Sequence, residues 1–257
     1  MTGVIVLTVS YDGSGFAGFA RQPGLPTVQG RLEDALSTIL RRDVETTGAG
    51  RTDAGVHALG QTVSFAADGS EPDPSVLLRS LNGLAGPGIV VTGVRQADAA
   101  FSARHSAIGR EYRYRLVPGP VPPVFLGPYA WWVGASLDLA SMRAAARYLV
   151  GEHDFKSFCV SASAEGKPTM RRLDLIEIGP ETVLGEHSIV VRVSGNAFLH
   201  SMVRVIVGSL VEVGKGRRPA EWMAEALAAR DRSAAGPTAP AHGLVLWHVS
   251  YPDECWL

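Results

Sequence analysis

The sequence predicts an α+β protein made of two similar units, each with a mainly antiparallel sheet and helices on one face. Stretches rich in β-branched residues alternate with stretches whose apolar residues recur at helical spacing. The order of these elements is comparable in the two halves, although no sequence repeat is visible. With 257 residues, 46% of them hydrophobic, the chain can bury a sizeable core. We expect one unit over residues 1–108 and a second over residues 109–257.

The first half predicts four strands and two helices. Thr27 is a good cap for a helix over residues 28–41, and Asp73 followed by Pro74 begins a second helix that ends at Gly83. The predicted strands cover residues 4–11, 44–47, 61–66 and 89–94.

The second half shows a similar alternation, with a proline-rich connection between Pro118 and Pro128. Residues 161–168 are small and polar and predict a loop. The predicted strands cover residues 110–116, 172–178, 188–193 and 244–251, and helices are predicted over residues 139–150, from residue 198 onward, and over residues 220–229.

Composition excludes several classes of protein. No apolar run is long enough to cross a bilayer, and the first residues lack the basic region of a signal peptide, so we expect no membrane contact. Cys159 and Cys255 form no C-x-x-C pair, which argues against a disulfide scaffold and a zinc site and fits a reducing cytoplasm. The net charge of −1 does not indicate nucleic-acid binding, although all but three of the 24 basic residues are arginine.

The loop from Gly48 to Gly60 is the first place to look for function. Its four glycines allow a tight geometry around Arg51, Asp53 and His57. One interpretation is an ordinary solvated turn in which Asp53 bonds its own backbone. The length favours a functional loop, because thirteen residues exceed what a simple hairpin needs.

A G-x-G-x-x-G match at Gly13, Gly15 and Gly18 follows the first predicted strand. A dinucleotide-binding fingerprint requires the last glycine to lie in an opening helix. Pro23 and Pro26 prevent a helix there, so we expect no nucleotide cofactor.

The strand over residues 110–116 places two tyrosines, Tyr112 and Tyr114, on one face and charged residues on the other. One interpretation is a sheet edge with core tyrosines and solvated charges. The other is an aromatic platform for an unstacked RNA base, with guanidinium groups nearby for phosphates.

The segment from residue 198 to residue 208 is apolar nearly all round a helix, apart from Arg204. Because an unpaired buried guanidinium is costly, Arg204 must reach water or a carboxylate. A structural ion pair and an extended side chain that reaches solvent are both open. Our hypothesis is that Arg204 pairs with Asp53 and that Arg51 is a second cation. His200 is given no catalytic role.

The loop motif Gly50-Arg-Thr-Asp-Ala-Gly-Val-His57 resembles the catalytic loop of the tRNA pseudouridine synthase A family. Four further stretches resemble motifs of that family, and they occur in the expected order: residues 11–22, Arg110-x-Tyr112-x-Tyr114, residues 196–208 and residues 238–244. The sequence departs from the usual pattern at Phe19, Ala20, Ser201 and Val205.

The resemblance implies a pseudouridine synthase fold with a catalytic cleft between the two units. It also implies an isomerase that converts uridine to pseudouridine at positions 38, 39 and 40 of the tRNA anticodon stem-loop and works as a homodimer without cofactor or metal. Asp53 matches the catalytic aspartate, Arg204 its partner, and Tyr112 the tyrosine that stacks on the target base. We assign substrate contacts to five further arginines on the matched motifs and neighbouring loops: Arg21, Arg51, Arg110, Arg171 and Arg172.

Two alternatives stay open. A non-catalytic RNA-binding or RNA-folding protein could use the same basic surface, but a phosphate binder gains nothing from a buried carboxylate. A metal-dependent hydrolase could use Asp53 and His57, but the two lie in a glycine-rich loop rather than on a helix, and no third ligand is apparent.

Overall fold

The computed structural model describes residues 3–256, which fold as two compact units. The first unit comprises the chain up to Arg110 together with the segment from Leu246 onward, and the second runs from Glu111 to Val245. The sequence placed the last segment with the second unit. The rings of Tyr251 and Trp256 pack on Phe101, and the Tyr251 hydroxyl donates to the Ala103 carbonyl at 2.6 Å, which fixes this segment in the first unit.

The first unit is an antiparallel sheet with two helices. Its strand order is β4–β1–β3–β10, and the short β2 pairs with β3. The helices α1 and α2 pack against each other, and α2 packs against β4. The elements are β1 Val4–Tyr11, α1 Val28–Leu40, β2 Thr47–Gly48, β3 His57–Ala66, α2 Pro74–Leu84, β4 Ile89–Ala97 and β10 Leu244–Ser250.

The two helix N-caps in this half act as the sequence predicts, whereas α2 continues past Gly83 and ends at Leu84. The Thr27 hydroxyl accepts from the backbone N–H of Gly30, and the Asp73 carboxylate accepts from that of Ser75. At the other end of α1, Arg41 adopts the left-handed conformation with φ 54°, which stops the helix at Leu40.

The second unit contains a sheet with the order β5–β9–β8–β7, in which β6 pairs in parallel with β5. The helix α3 packs on both α5 and β8. The elements are β5 Gly109–Val117, β6 Trp131–Trp132, α3 Leu139–Arg147, β7 Gly151–Asp154, α4 Ser161–Ala164, β8 Met170–Val183, β9 Glu186–Gly195, α5 Met202–Gly214 and α6 Trp222–Ala229.

The α+β class predicted from the sequence is confirmed, but several local predictions are wrong. The strand expected over residues 44–47 is reduced to β2 at Thr47–Gly48. The helix α5 begins at Met202 rather than residue 198, because Ser201 has φ 58° and breaks the chain direction there. The strand β3 begins at His57, which shortens the loop around Asp53 to residues 49–56. Residues 161–164 form a short helix instead of loop. Among residues 3–256, no helix is both long and apolar enough to cross a membrane.

Ion pairs join the charged face of β5 to β9 and to β8, the next strand beyond it. Glu111 accepts from Arg113 on β5 and from Arg192 on β9, both at 2.9 Å. Arg115 pairs with Glu181 on β8 at 2.6 Å. These guanidinium groups therefore hold the sheet together, whereas the sheet-edge interpretation of this strand expected its charges to be solvated.

The Glu111 pairs make a prediction about acid stability. Burial raises the pKa of the Glu111 carboxyl, but the hydrogen bonds and charges of Arg192 and Arg113 outweigh it and hold the pKa below the usual value of 4.5. A carboxylate with a lowered folded-state pKa stabilises the fold above the unfolded-state pKa and stops doing so as the pH falls through the folded value. We expect Glu111→Gln to lower the unfolding free energy at pH 7 by about 1 kcal/mol, roughly 2–4 °C in Tm.

The measurement is a series of thermal denaturation curves from pH 7 to pH 3 for the parent protein and for Glu111→Gln. The difference in Tm should persist down to pH 4.5 and shrink below it. A difference that grew on acidification would show that the carboxylate is not what the arginines stabilise.

Candidate active site

The loop over residues 49–56 is fixed at its base to strand β3. The Ala49 N–H donates to the Thr62 carbonyl at 2.8 Å, and the Gln61 side-chain amide donates to the Gly50 carbonyl at 2.9 Å. Arg110 adds a hydrogen bond to the Ala49 carbonyl at 3.1 Å. The loop is thus anchored before it reaches Asp53.

The segment between β1 and α1 packs directly on the Asp53 loop. Two of its glycines, Gly13 and Gly18, make this close approach possible. A Cβ on Gly13 would lie 2.1 Å from the Val56 carbonyl oxygen. A Cβ on Gly18, which has φ 110°, would lie 2.9 Å from the Thr52 carbonyl oxygen and 3.5 Å from the Asp53 carbonyl carbon. These glycines of the rejected nucleotide fingerprint therefore support the Asp53 loop instead.

Polar contacts complete this support. The Phe19 N–H donates to the Thr52 carbonyl at 3.1 Å, and the Tyr11 hydroxyl and Thr52 hydroxyl are hydrogen-bonded at 2.8 Å. Phe19, which departs from the family pattern, is 2% exposed. Its ring packs directly on Gly48, where a Cβ would lie only 2.3 Å from the ring. Phe19 is therefore a core residue under the loop.

Asp53 occupies a tight turn at the tip of this loop. Its carbonyl accepts from the Val56 N–H at 3.1 Å, and its side chain is half-buried. Of the two residues before it, Thr52 is buried and Arg51 is exposed. A backbone turn is therefore present at Asp53, but it is packed against the neighbouring loop rather than surrounded by solvent.

His57 anchors the end of the loop. Its Nδ1 accepts from the Gly13 N–H at 3.1 Å, and the same atom lies 3.1 Å from the Asp12 carboxylate. Over residues 3–256, no three His, Cys, Asp or Glu side chains are grouped so as to hold a metal ion.

Arg110 and Arg21, two of the arginines assigned to substrate, make protein contacts. The Arg110 guanidinium donates to three carbonyls, those of Ala49, Arg104 and Ala107. Arg21 lies 3.1 Å from the buried Glu33 carboxylate while remaining 60% exposed. Arg110 therefore fastens the base of the loop, whereas Arg21 keeps most of its surface available.

Arg171 and Arg172 lie at the start of β8. Arg171 donates to the carbonyls of Pro168 and Met170, and burial lowers the pKa of its guanidinium below the usual value. Arg172 pairs with the exposed Asp174 at 2.8 Å. An exposed pair of this kind is worth little in water, so the Arg172 guanidinium exchanges partners readily.

The two tyrosines of β5 are both buried. Tyr112 is 8% exposed and meets the ring of Phe198 edge-on, with centroids 5.0 Å apart and planes at 77°. Tyr114 is fully buried and donates to the Pro240 carbonyl at 2.8 Å. Burial raises the pKa of the Tyr114 hydroxyl far above its usual value, against the opposing charge of Arg204.

Arg204 is a half-buried residue of α5 among fully buried neighbours. Its Nε donates to the Ala239 carbonyl at 2.8 Å, and its own carbonyl accepts from the Ala239 N–H at 3.1 Å. Asp53 belongs to the first unit and Arg204 to the second. The structure brings Arg204 together with the C-terminal motif, and its pairing with Asp53 stays a prediction.

Sequence reasoning missed several supporting residues. The roles of Gly13 and Gly18 could not be predicted, because the spacing of glycines does not indicate which part of the chain packs against them. Phe198 was noted only as part of an apolar run, although it contacts Tyr112. Ala239 and Pro240 belong to the stretch of residues 238–244 that resembles a family motif. That resemblance was the only indication in the sequence that they support the site.

A profile described as tRNA pseudouridine synthase matches residues 7–93 and 145–252, more than half of the chain. The chain belongs to the tRNA pseudouridine synthase family. A protein named tRNA pseudouridine synthase A from Burkholderia cenocepacia is 44% identical over 250 residues, covering 97% of this chain and 90% of that protein. Another of the same name from Brevibacillus brevis is 45% identical over 246 residues, covering 95% of this chain and 97% of that protein.

Among solved structures, the chain has a weak likeness to a chain titled as part of a Cbf5-Nop10-Gar1 complex. That match is 14% identical, covers 82% of this chain and 45% of the other, and has a TM-score of 0.38. The family assignment therefore rests on the sequence relatives.

The packing of the two loops yields a prediction with a matched control. Gly13→Ala should displace the Asp53 loop, because the new methyl group would overlap the Val56 carbonyl. Overpacking of this kind costs about 1–3 kcal/mol, and a displacement near 1 Å lowers turnover by roughly 100-fold. Gly15→Ala is the control, since its Cβ has nothing within 4 Å.

The measurements are Tm and the rate of tRNA uridine isomerisation for the two variants. Neither glycine has a positive φ, so backbone strain does not distinguish them. Equal behaviour of Gly13→Ala and Gly15→Ala would contradict the proposed support of the loop.

Proposed function

We propose that this chain converts uridine to pseudouridine at positions 38, 39 and 40 of the tRNA anticodon stem-loop, with Asp53 as the nucleophile. Family membership supports the coarser part of this proposal: the protein is an isomerase that acts on uridine in tRNA. The positions and the nucleophile are the finer part, and they come from the motif resemblance together with the construction of the Asp53 loop.

The reaction needs few groups from the protein. The bond between uracil N1 and the ribose breaks, the base turns, and a new bond joins C5 to the same sugar carbon. The proton lost from C5 is balanced by the proton gained at N1, so no redox partner or group donor is required. A carboxylate nucleophile, an aromatic surface for the displaced base and a cation beside the carboxylate meet these needs.

The observation that carries the proposal is the placement of Asp53 on a short, packed loop. Gly13, Gly18 and Phe19 fix the backbone on either side of Asp53, while its side chain remains half-buried rather than fully covered. A nucleophile requires this combination, because its carboxylate must be oriented and yet reach the substrate.

The remaining site residues complete the proposal. Arg204 pairs with Asp53 and orients its carboxylate, and Tyr112 stacks on the target base after Phe198 or the loop before α5 moves aside. We assign phosphate contacts to the exposed or exchangeable arginines Arg21, Arg51 and Arg172. The carbonyl bonds of Arg110 and Arg171 favour a role in shaping the site.

We also propose that the enzyme is a cytoplasmic homodimer that uses no cofactor and no metal. This part is supported by the family resemblance and by the sparse cysteines of the sequence. A monomeric mass in sedimentation at assay concentrations would contradict the dimer.

The substrate assignment is tested by incubating the protein with unmodified tRNA that carries uridines at positions 38, 39 and 40, and then mapping pseudouridine along the whole molecule. We expect modification at these three positions and none in the other arms. A tRNA whose uridines at these positions are replaced by cytidine is the matched control and should acquire no pseudouridine. Modification confined to another arm would overturn the assignment.

The nucleophile is tested by Asp53→Asn, which keeps the size of the side chain and removes its charge. Loss of a covalent nucleophile costs several orders of magnitude, so we expect at least a roughly thousandfold fall in turnover. Affinity for tRNA, measured by filter binding, should change by less than about threefold, because phosphate contacts dominate affinity for nucleic acids.

Asp34→Asn is the matched control, because Asp34 is an exposed acid on α1 in the same unit. It should retain full turnover. Activity that survives Asp53→Asn would make Asp53 structural and favour the alternative of a non-catalytic RNA-binding role for this loop.

A further inference from the structure

The segment from Arg230 to Pro240, here called the strap, presents two consecutive carbonyls to two different elements of the second unit. The Ala239 carbonyl accepts from Arg204 Nε on α5 at 2.8 Å. The next carbonyl, that of Pro240, accepts from the Tyr114 hydroxyl on β5 at 2.8 Å. We propose that the strap sets the spacing between Arg204 and the tyrosine strand, and that Tyr114, Arg232 and Thr238 are positioning residues for the reaction. This inference rests on the proposed function.

The strap runs antiparallel to α5 in close contact with it. A Cβ on Gly208 would lie 1.8 Å from the Pro237 carbonyl oxygen, and a Cβ on Gly236 would lie 2.7 Å from Ser209 Cα. The buried Ser209 hydroxyl accepts from the Gly236 N–H at 2.9 Å and donates to a carbonyl one turn earlier in α5. Together with the contact between Ala239 and Arg204, these points fix the strap along about one and a half turns of the helix.

The other end of the strap is tied to the segment around β7. The Asp231 N–H donates to the Ser157 hydroxyl at 2.9 Å, and Arg230 Nε lies 3.3 Å from the Asp154 carboxylate. Within the strap, the Arg232 guanidinium donates to the Thr238 hydroxyl at 3.1 Å. This internal bond joins the anchored end to the residue that precedes Ala239, so it resists bending of the strap.

Tyr114 connects the strap to the proposed base platform. Tyr112 and Tyr114 lie two residues apart on one face of β5, so a shift of the strand moves both. The ring of Tyr114 fills the space left by Gly243, where a Cβ would lie 2.6 Å from the ring. Because burial raises the pKa of Tyr114, its hydroxyl stays protonated and continues to donate at any pH used for assay. Arg204 is therefore held by Ala239, and the strand that carries Tyr112 is held by Pro240. The strap thus sets the positions of both through two adjacent residues.

The first test is Tyr114→Phe, which keeps the ring packing and removes only the donor to Pro240. We expect kcat for pseudouridine formation to fall by about 10- to 100-fold, because small displacements of reacting groups are costly. KM for tRNA should change by less than about twofold, since the Tyr114 side chain is fully buried. Tyr148→Phe is the matched control, as Tyr148 is 40% exposed at the end of α3, and it should keep the parent kcat.

The second test separates positioning from simple loss of fold. Thr238→Val removes the oxygen that Arg232 binds, whereas Thr238→Ser keeps it. We expect Thr238→Val to reproduce the fall in kcat and Thr238→Ser to restore it, with thermal denaturation showing both variants fully folded at the assay temperature.

Parent kcat in Tyr114→Phe, or a rise in KM with unchanged kcat, would overturn the inference and leave the proposed function intact. Equal losses in Thr238→Val and Thr238→Ser would also overturn it. An inactive parent protein in the same assay would overturn the proposed function and this inference together, so the two failures are distinguishable.

Discussion

The contact on which the candidate site depends is backbone against backbone. Gly13 and Gly18 approach the Asp53 loop so closely that a methyl group on either would overlap it. Short loops of polar residues are usually mobile, because few apolar contacts offset their conformational entropy. Here the missing side chains allow direct hydrogen bonding from Phe19 to Thr52, and the loop gains the rigidity of a packed core while its tip remains accessible. The position of Asp53 is therefore determined by residues that carry no chemistry themselves.

The sequence predicted the parts of the fold that depend on local patterns. Thr27 and Asp73 cap their helices as expected, and the alternation along β5 is reproduced in the burial of Tyr112 and Tyr114. These features depend on near neighbours in the chain, which a single sequence contains. The motif around Asp53 was also recognisable, because its glycines and charged residues occur at fixed spacing.

The remainder depends on contacts between distant residues. No local sequence pattern predicts that Tyr251 packs on Phe101. Nor does one predict that Ser201 adopts a left-handed conformation, so that α5 begins later than expected. The arginines show the same limitation. Composition counts them equally, yet Arg110, Arg113 and Arg115 are engaged with carbonyls or carboxylates, whereas Arg51 is exposed. Which guanidinium meets RNA is decided by tertiary structure and not by abundance.

The strand order of the first unit also bears on how the protein is made. The strand β3 lies between β1 and β10, and β10 is synthesised about 180 residues after β3, a delay of roughly ten to forty seconds at ribosomal rates of 5–20 residues per second. During that interval the nascent first unit exposes an open sheet edge directly beside the Asp53 loop, and such edges invite pairing with other chains. Completion of this sheet therefore waits for the synthesis of β10 and does not follow directly from the emergence of the first hundred residues.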